Sequence, residues 1–279
     1  EGTLGIITQA VLKLFPKPKA HATAMVAVKS LDHALALLNE LQEGTGGAVA
    51  AYEYMPKRYI QGYMELSSSS RKPFQKDYDH LVMIELETTV ELFSRSTDDG
   101  QVLLSGELER ILNKNLVDGS ILDAHIAQNE EQRLIMWERR EAAAEISLLK
   151  KPLINNDIAV PLEKISEFLT IMENKLPELD PEADVLIVSH LGDGNVHYTV
   201  WPSLDDEKHK DKIMEAIENV VLFLGGSFSA EHGIGISKLS SMERRKDSVA
   251  LKVMRQIKDA IDPKGIMNPG KVLPREYDS

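Results

Sequence analysis

The sequence contains no cysteine. Disulfides, thiolate nucleophiles and Cys-ligated zinc or iron–sulfur centres are therefore excluded. The absence fits a reducing compartment without requiring one. No run of 18 or more apolar residues occurs, so no transmembrane helix is expected. Basic residues are outnumbered, 32 Lys and Arg against 44 Asp and Glu, for a formal net charge of −12. That balance argues against nucleic acid and against electrostatic docking on an anionic membrane. It does not exclude a small anionic substrate, because one local Arg or metal ion can override the global field. Neither a Walker nor a GxGxxG pattern is present, and no internal repeat of fixed period is visible. Low complexity is confined to Ser67-Ser68-Ser69-Ser70, expected to be a mobile loop.

The 279 residues, 43% of them hydrophobic, are enough for a sizeable core in one large domain or two fused halves. The chain opens on Glu1-Gly2-Thr3-Leu4-Gly5 rather than Met, and this text reads as the interior of a longer polypeptide. Residues 1–15 predict a turn and a strand. Pro16-Lys17-Pro18 predicts an extended joint, so a boundary falls between a segment 1–18 and a main domain 19–279. Strands are predicted at 21–29, 47–55, 80–87, 121–128, 153–161, 184–190 and 196–201. Helices are predicted from Ser30 to Leu41, near 100–115, from the 121–128 strand to about Leu149, and at 162–175, 206–224 and 241–261. Several strands connect through short turns, which favours an α+β fold with antiparallel sheets and helices packed on one face.

The segment SHLGDGNVHYTV, 189–200, places a strong turn signal, Gly192-Asp193-Gly194-Asn195, between two strand-like runs. In a symmetric hairpin His190 and His197 stand directly opposite each other, close enough to share a metal ion. A bulge would break that symmetry. Spacing alone leaves open whether these histidines are ligands or merely flank a turn, and a third ligand is needed. Asp193 and Asn195 are possible further oxygen donors, though turn formation accounts for both.

Gly225 to Gly235 reads GGSFSAEHGIG. In an extended backbone the adjacent Glu231 and His232 point to opposite faces. Glu231 could then face the histidines as a carboxylate ligand while His232 faces a reaction centre; a Gly-rich connection with a solvated Glu is the alternative. Two His and one carboxylate would suit Zn²⁺, Mn²⁺, Fe²⁺ or Co²⁺. Arg139 and Arg140 lie on a predicted helix, about 100° apart around its axis. Only one of them would face a given pocket, and either could grip a carboxylate or simply be solvated. Asn268 and Lys271 follow the last helix in a Pro-Gly turn.

Taken together, EGTLGIIT (1–8), DAHIAQNEEQRLIMWERRE (123–141), SHLGDGNVH (189–197), AEHGIGISK (230–238) and MNPGKVLP (267–274) resemble the FAD-linked oxidases related to vanillyl-alcohol oxidase. Within that superfamily the nearest group is D-lactate dehydrogenase, D-2-hydroxyglutarate dehydrogenase and the glycolate oxidase flavin subunit. The resemblance spans nearly the whole chain in the family's order. It implies the C-terminal cap domain, a ferredoxin-like α+β arrangement covering a flavin, and an enzyme that oxidises a D-2-hydroxy acid by hydride transfer to FAD. Glu1, Gly2, Gly5, Ile6 and Asn268 would touch FAD, and a divalent metal on His190, His197 and Glu231 would be an optional second cofactor. His232 would be the general base and Arg140, in the family's W-x-x-R-E pattern, would clamp the substrate carboxylate.

This chain departs from some members at Ala144, where they carry Thr, and at Asn155, where they carry Lys; Lys150 or Lys151 could stand in. These changes bear on the substrate, and on D-2-hydroxyglutarate above all. The partners implied are a small 2-hydroxy acid, the chain's own N-terminal FAD domain and an unidentified electron acceptor, with a homodimer left open. The expected compartment is the cytoplasm, or the mitochondrial matrix in a eukaryote. Two alternatives belong to other classes: a flavin-free metallohydrolase on the His-His-Glu site, and a non-catalytic binding subunit with a degenerate cap domain.

Overall fold

The computed structural model describes residues 1–66, 70–97 and 100–274. The serine loop thus lies largely outside the described residues. The strands are β1 (Ala20–Val28), β2 (Val49–Tyr54), β3 (His80–Thr88), β4 (Ile121–Ile126), β5 (Ile154–Ala159), β6 (Asp184–His190) and β7 (Asn195–Trp201). The helices are α1 (Leu31–Thr45), α2 (Lys57–Leu66), α3 (Leu103–Asp118), α4 (Glu130–Glu141), α5 (Ala143–Ser147), α6 (Ile165–Leu179), α7 (Glu207–Phe223), α8 (Leu239–Arg245) and α9 (Ser248–Ile261). All seven strands form one sheet in the order β4-β1-β3-β2-β6-β7-β5, with every pairing antiparallel. The α+β class and antiparallel sheet are as expected.

The first four strands and helices α1 and α3 run β-α-β-β-α-β with spatial order 4-1-3-2, the ferredoxin-like arrangement. From β5 to α7 the chain runs β-α-β-β-α again, with β7 between β6 and β5. The two units meet where β2 pairs with β6, through Glu53 opposite His190 and Tyr54 opposite Ser189. At the open edge of β5, where a fourth strand would lie, Ser227 alone among the described residues bridges to Ala159. Gly226 permits that approach, since a Cβ there would come within 2.2 Å of the Ala159 carbonyl oxygen. The repeat is structural and leaves no fixed period in the sequence.

Central strands are buried on both faces. One face of the sheet carries α1, α3, α6 and α7 over Val26, Ile84, Tyr198 and Val200. The other is covered in its middle by α2, α4 and α5 over Met25, Met83, Leu186 and Val188. The long helices thus sit on one face as expected, and a smaller set occupies the second. It includes α2, which the sequence reading leaves unassigned between two strands.

Caps set the helix starts. Side-chain oxygens of Ser30, Asn129, Asp206 and Asp247 accept backbone N–H groups at the starts of α1, α4, α7 and α9. The Asp247 cap splits the helix expected at 241–261 in two. The helix expected to reach Leu149 is interrupted at Ala142. There the Tyr59 hydroxyl lies 2.8 Å and 2.9 Å from the carbonyl oxygens of Arg139 and Arg140, competing for acceptors that a continuous helix would use. Residues 1–18 form no strand, contrary to expectation. Among the described residues no strand pairs with them, and Ile6, Val11 and Leu14 are exposed.

Candidate functional site

On the α2/α4/α5 face, where those helices stop short, a cleft of about 630 Å³ opens between the two units. His190 and His197 line it, but not as directly opposed partners. His190 faces Asn195 and His197 faces Val188, so the histidines are diagonal neighbours on one face, ring centroids 5.3 Å apart. The reason is Leu191. Its fully buried side chain and its N–H bond to the Tyr52 carbonyl (2.9 Å) draw it out of the β6–β7 ladder. The loop therefore runs 191–194 and shifts the register by one residue on each strand. Gly194 closes it at φ +86, its Cα packed so near the Val160 carbonyl that a Cβ would come within 2.3 Å. Asp193 accepts the Asn195 N–H at 3.0 Å and stays a turn former.

Each histidine has a carboxylate opposite it on the neighbouring strand: Glu53 opposite His190 and Asp157 opposite His197. Glu53 Oε1 lies 3.0 Å from His190 Nδ1. Its other oxygen accepts from Arg140 Nε at 2.6 Å. Burial opposes ionisation of Glu53, yet the His190 hydrogen bond and Arg140 hold its carboxyl below the usual range. The same bond raises the pKa of His190. Burial pushes His197 down, so at neutral pH it is the uncharged imidazole, the form that binds metals.

Glu231 and His232 do not diverge to opposite faces as an extended backbone would require. Asp157 Oδ2 accepts both of their N–H groups, each at 3.0 Å, and bends the loop inward. The side chains then converge. Glu231 Oε1 stands 3.3 Å from His197 Nε2, 3.6 Å from His232 Nε2 and 3.7 Å from His190 Nε2. Ligand atoms of Asp157, His197, Glu231 and His232 all lie within 4.8 Å of one another. His190 and His197 with the Glu231 carboxylate, in a cleft open to solvent, form a donor set of a kind that fits a borderline divalent ion, although His190 stands outside the tightest group, which Asp157 and His232 complete instead. His190, His197, Glu231 and His232 are thus brought together. Glu53, Asp157 and Lys238 are the neighbours that sequence reading did not assign to the site.

Arg140 is buried and lines the cleft. Its Nη2 lies 3.2 Å from His190 Nε2. Arg139 turns away and stacks over the Tyr63 ring. Of the expected flavin contacts, Glu1, Gly2 and Asn268 meet: Asn268 Nδ2 donates to the Glu1 carbonyl at 2.7 Å, and Gly2 packs beside Asn268. The Glu1 carboxylate accepts N–H groups from Ile234 (2.9 Å) and Gly235 (2.7 Å), and these bonds lower its pKa. Gly5 and Ile6 lie apart, with no heavy atom within 4 Å of a Cβ placed at Gly5. That bare backbone is open to close approach by a ligand. Lys150 donates to Asp184 at 2.6 Å and does not line the cleft, so it does not replace a cation at Asn155.

The profile of the family described as FAD linked oxidases, C-terminal domain, matches residues 17–272. The chain is 30% identical over 278 residues to the mitochondrial D-2-hydroxyglutarate dehydrogenase of Arabidopsis thaliana, covering 98% of this chain and 47% of that protein. It is 29% identical over 283 residues to the D-lactate dehydrogenase of Anaerostipes hadrus, covering 98% of this chain and 56% of that one. The chain thus spans about half the length of the curated relatives it matches. Among solved structures, an alkyldihydroxyacetonephosphate synthase aligns with a TM-score of 0.54 at 16% identity, over 97% of this chain and 48% of its own, a likeness of fold.

Proposed function

The chain belongs to the family of FAD-linked oxidase C-terminal domains, and from that premise we propose that it is the substrate-covering part of a FAD-dependent dehydrogenase acting on a D-2-hydroxy acid. The product is the 2-oxo acid. The observation that carries this reading is the convergence of His190, His197 and His232 on Glu231 beside Arg140. The family match speaks against a flavin-free hydrolase or a degenerate binding subunit. The names of the relatives, D-2-hydroxyglutarate and D-lactate dehydrogenases, support the substrate class.

FAD, when bound, supplies the hydride acceptor; a divalent ion held by His190, His197 and Glu231 supplies Lewis acidity toward the hydroxyl. His232 takes the hydroxyl proton at Nε2, which is open to the cleft and adjacent to Glu231. Arg140 binds the substrate carboxylate. Glu53 anchors Arg140 through Nε, and nothing among the described residues hydrogen-bonds its Nη1, which leaves donors for the ligand. Glu1, Gly2, Gly5, Ile6 and Asn268 face the flavin.

Segment 1–18 is the joint to an N-terminal FAD domain. Exposed Ile7, Val11, Leu12 and Phe15 on that segment, with Val249 and Ile261 on α9, offer apolar surface for such a partner. Among the described residues no helix is long and apolar enough to cross a membrane. The compartment we favour is the cytoplasm, or the mitochondrial matrix in a eukaryote. Ala143, Ala144 and Asn155 line the cleft, and among the described lining residues Arg140 is the one Arg or Lys, which favours a lactate- or glycolate-like tail over a second carboxylate.

The test is anaerobic flavin reduction by the intact protein, with D-lactate, glycolate and D-2-hydroxyglutarate offered in turn. Bleaching of the flavin by one of them, slowed severely in His232→Ala, is the expected result. A flavin that none of a broad panel of 2-hydroxy acids reduces would overturn the reading.

A further inference from the structure

Two buried carboxylates border the cluster, Glu53, which anchors Arg140, and Asp157, which has no part in the chemistry above. Glu53 and Asp157 occupy matching places, each the cross-strand partner of one hairpin histidine. Glu53 makes a full hydrogen bond to His190 Nδ1, at 3.0 Å. Asp157 is divided. Its Oδ2 is saturated, accepting from the backbone of Glu231 and His232 (3.0 Å each) and from Lys238 Nζ (3.2 Å). Its Oδ1 is buried with no hydrogen-bond partner. That oxygen lies 3.7 Å from His197 Nδ1, just beyond bonding reach. A carboxylate 5% exposed with an unpartnered oxygen is costly in a merely structural role. A shift of about half an ångström would bring that nitrogen within bonding reach of Oδ1, and the opposite ring nitrogen, Nε2, stands 3.3 Å from Glu231 Oε1.

We infer that Asp157 is a positioning residue of the metal centre, holding His197 through Oδ1 and the backbone of Glu231 and His232 through Oδ2. One carboxylate then sets the orientation of a ligand imidazole and the place of the loop that carries the third ligand and the base. Glu53 does the first of these tasks for His190. Both histidines carry their proton on Nδ1 and present Nε2 to the ion, the arrangement in which an outer carboxylate fixes tautomer and raises ligand basicity. This inference rests on the metal reading of the site.

The test uses the intact protein, stripped of metal and titrated with Zn²⁺ or Mn²⁺ by calorimetry. Asp157→Asn keeps the shape of the side chain and its neutral hydrogen bonds, and is expected to weaken binding roughly 10–100-fold. Equal affinity in wild type and variant would overturn the inference while leaving the metal centre intact. No binding in the wild type would overturn the metal reading and the inference with it. A measurement that needs no variant keeps the question open to refutation should Asp157→Asn fold poorly. In wild type labelled with ¹⁵N-histidine and loaded with Zn²⁺, the ring signals of His190 and His197 should show Nδ1–H and metal-bound Nε2. Nδ1 ligation at His197 would contradict the role given to Asp157.

Discussion

The two units of the sheet place buried acids and their partners at corresponding points and treat them differently. Matching β2 with β6 through the Glu53–His190 pair makes Glu85 the counterpart of His197, and Thr23 the counterpart of Asp157. In the first unit the network is closed. Glu85 accepts from Thr23 (2.7 Å), Trp137 (2.8 Å) and both Arg133 Nε (2.9 Å) and Nη2 (2.6 Å). Burial opposes its ionisation, but these donors hold its pKa below the ordinary value. In the second unit Asp157 keeps an oxygen without a partner, and the imidazole nitrogens stand 3.3–3.7 Å from Glu231 without bonding it. A satisfied buried network holds a fold together. An unsatisfied one beside a cleft is where a ligand is expected to complete the set.

The comparison predicts opposite responses in the two units. The largest effect belongs to the open one: His232→Ala in the intact protein should slow flavin reduction by substrate about 10²–10⁴-fold, the usual contribution of a general base. Stopped-flow absorbance checks this, and a rate within a few-fold of wild type would remove His232 from the chemistry. Next comes the closed unit. Arg133→Met strips the main partner from buried Glu85 and should cost about 3 kcal/mol of folding stability, read by urea denaturation, with metal uptake unchanged. A variant as stable as wild type would show that Thr23 and Trp137 suffice and that the contrast between the units is overdrawn.

Glu231→Gln should reverse that pattern. Its side chain is half exposed, so metal-free stability should move by no more than about 0.5 kcal/mol, while metal is no longer retained through dialysis. The smallest effect lies away from both networks. Asp180 accepts from the Ser203 N–H and His209 Nε2. Burial raises its pKa, but these donors outweigh burial and hold it at about 2, against 3.8 unperturbed. A depressed carboxylate stabilises the fold above its unfolded pKa, and that stability disappears as pH falls through the folded value. The melting-temperature gap between wild type and Asp180→Asn should therefore be constant near neutrality and close between about pH 4 and pH 2. A gap that persists at the acid end would mean that Asp180 acts through shape rather than charge.

Local signals in the sequence carried much of this. The positions of β1, β3, β6 and β7 and the Ser30 cap are readable from periodicity and turn residues, while the candidate site residues His190, His197, Glu231, His232 and Arg140 are singled out by turn spacing, a Gly-rich loop and the family resemblance. What is not readable depends on distant contacts. The hairpin register turned on Leu191 being drawn into the core beneath Tyr52. The break at Ala142 depends on the Tyr59 hydroxyl, some 80 residues away. Glu53 reaches His190 only because β2 and β6 pair across 137 residues. Asp157 looks like an ordinary strand residue until β5 docks on β7 and its carboxylate meets the loop at 231–232. The repeat of the ferredoxin-like unit is likewise a matter of connectivity, since the two units share topology and not residues.

The central claim, that the open unit holds a metal centre, is tested most directly by elemental analysis of the intact protein beside a His190→Ala/His197→Ala variant. The account predicts about one equivalent of a divalent transition metal in the wild type and its loss in the variant. Metal absent from both, or present equally in both, would contradict it.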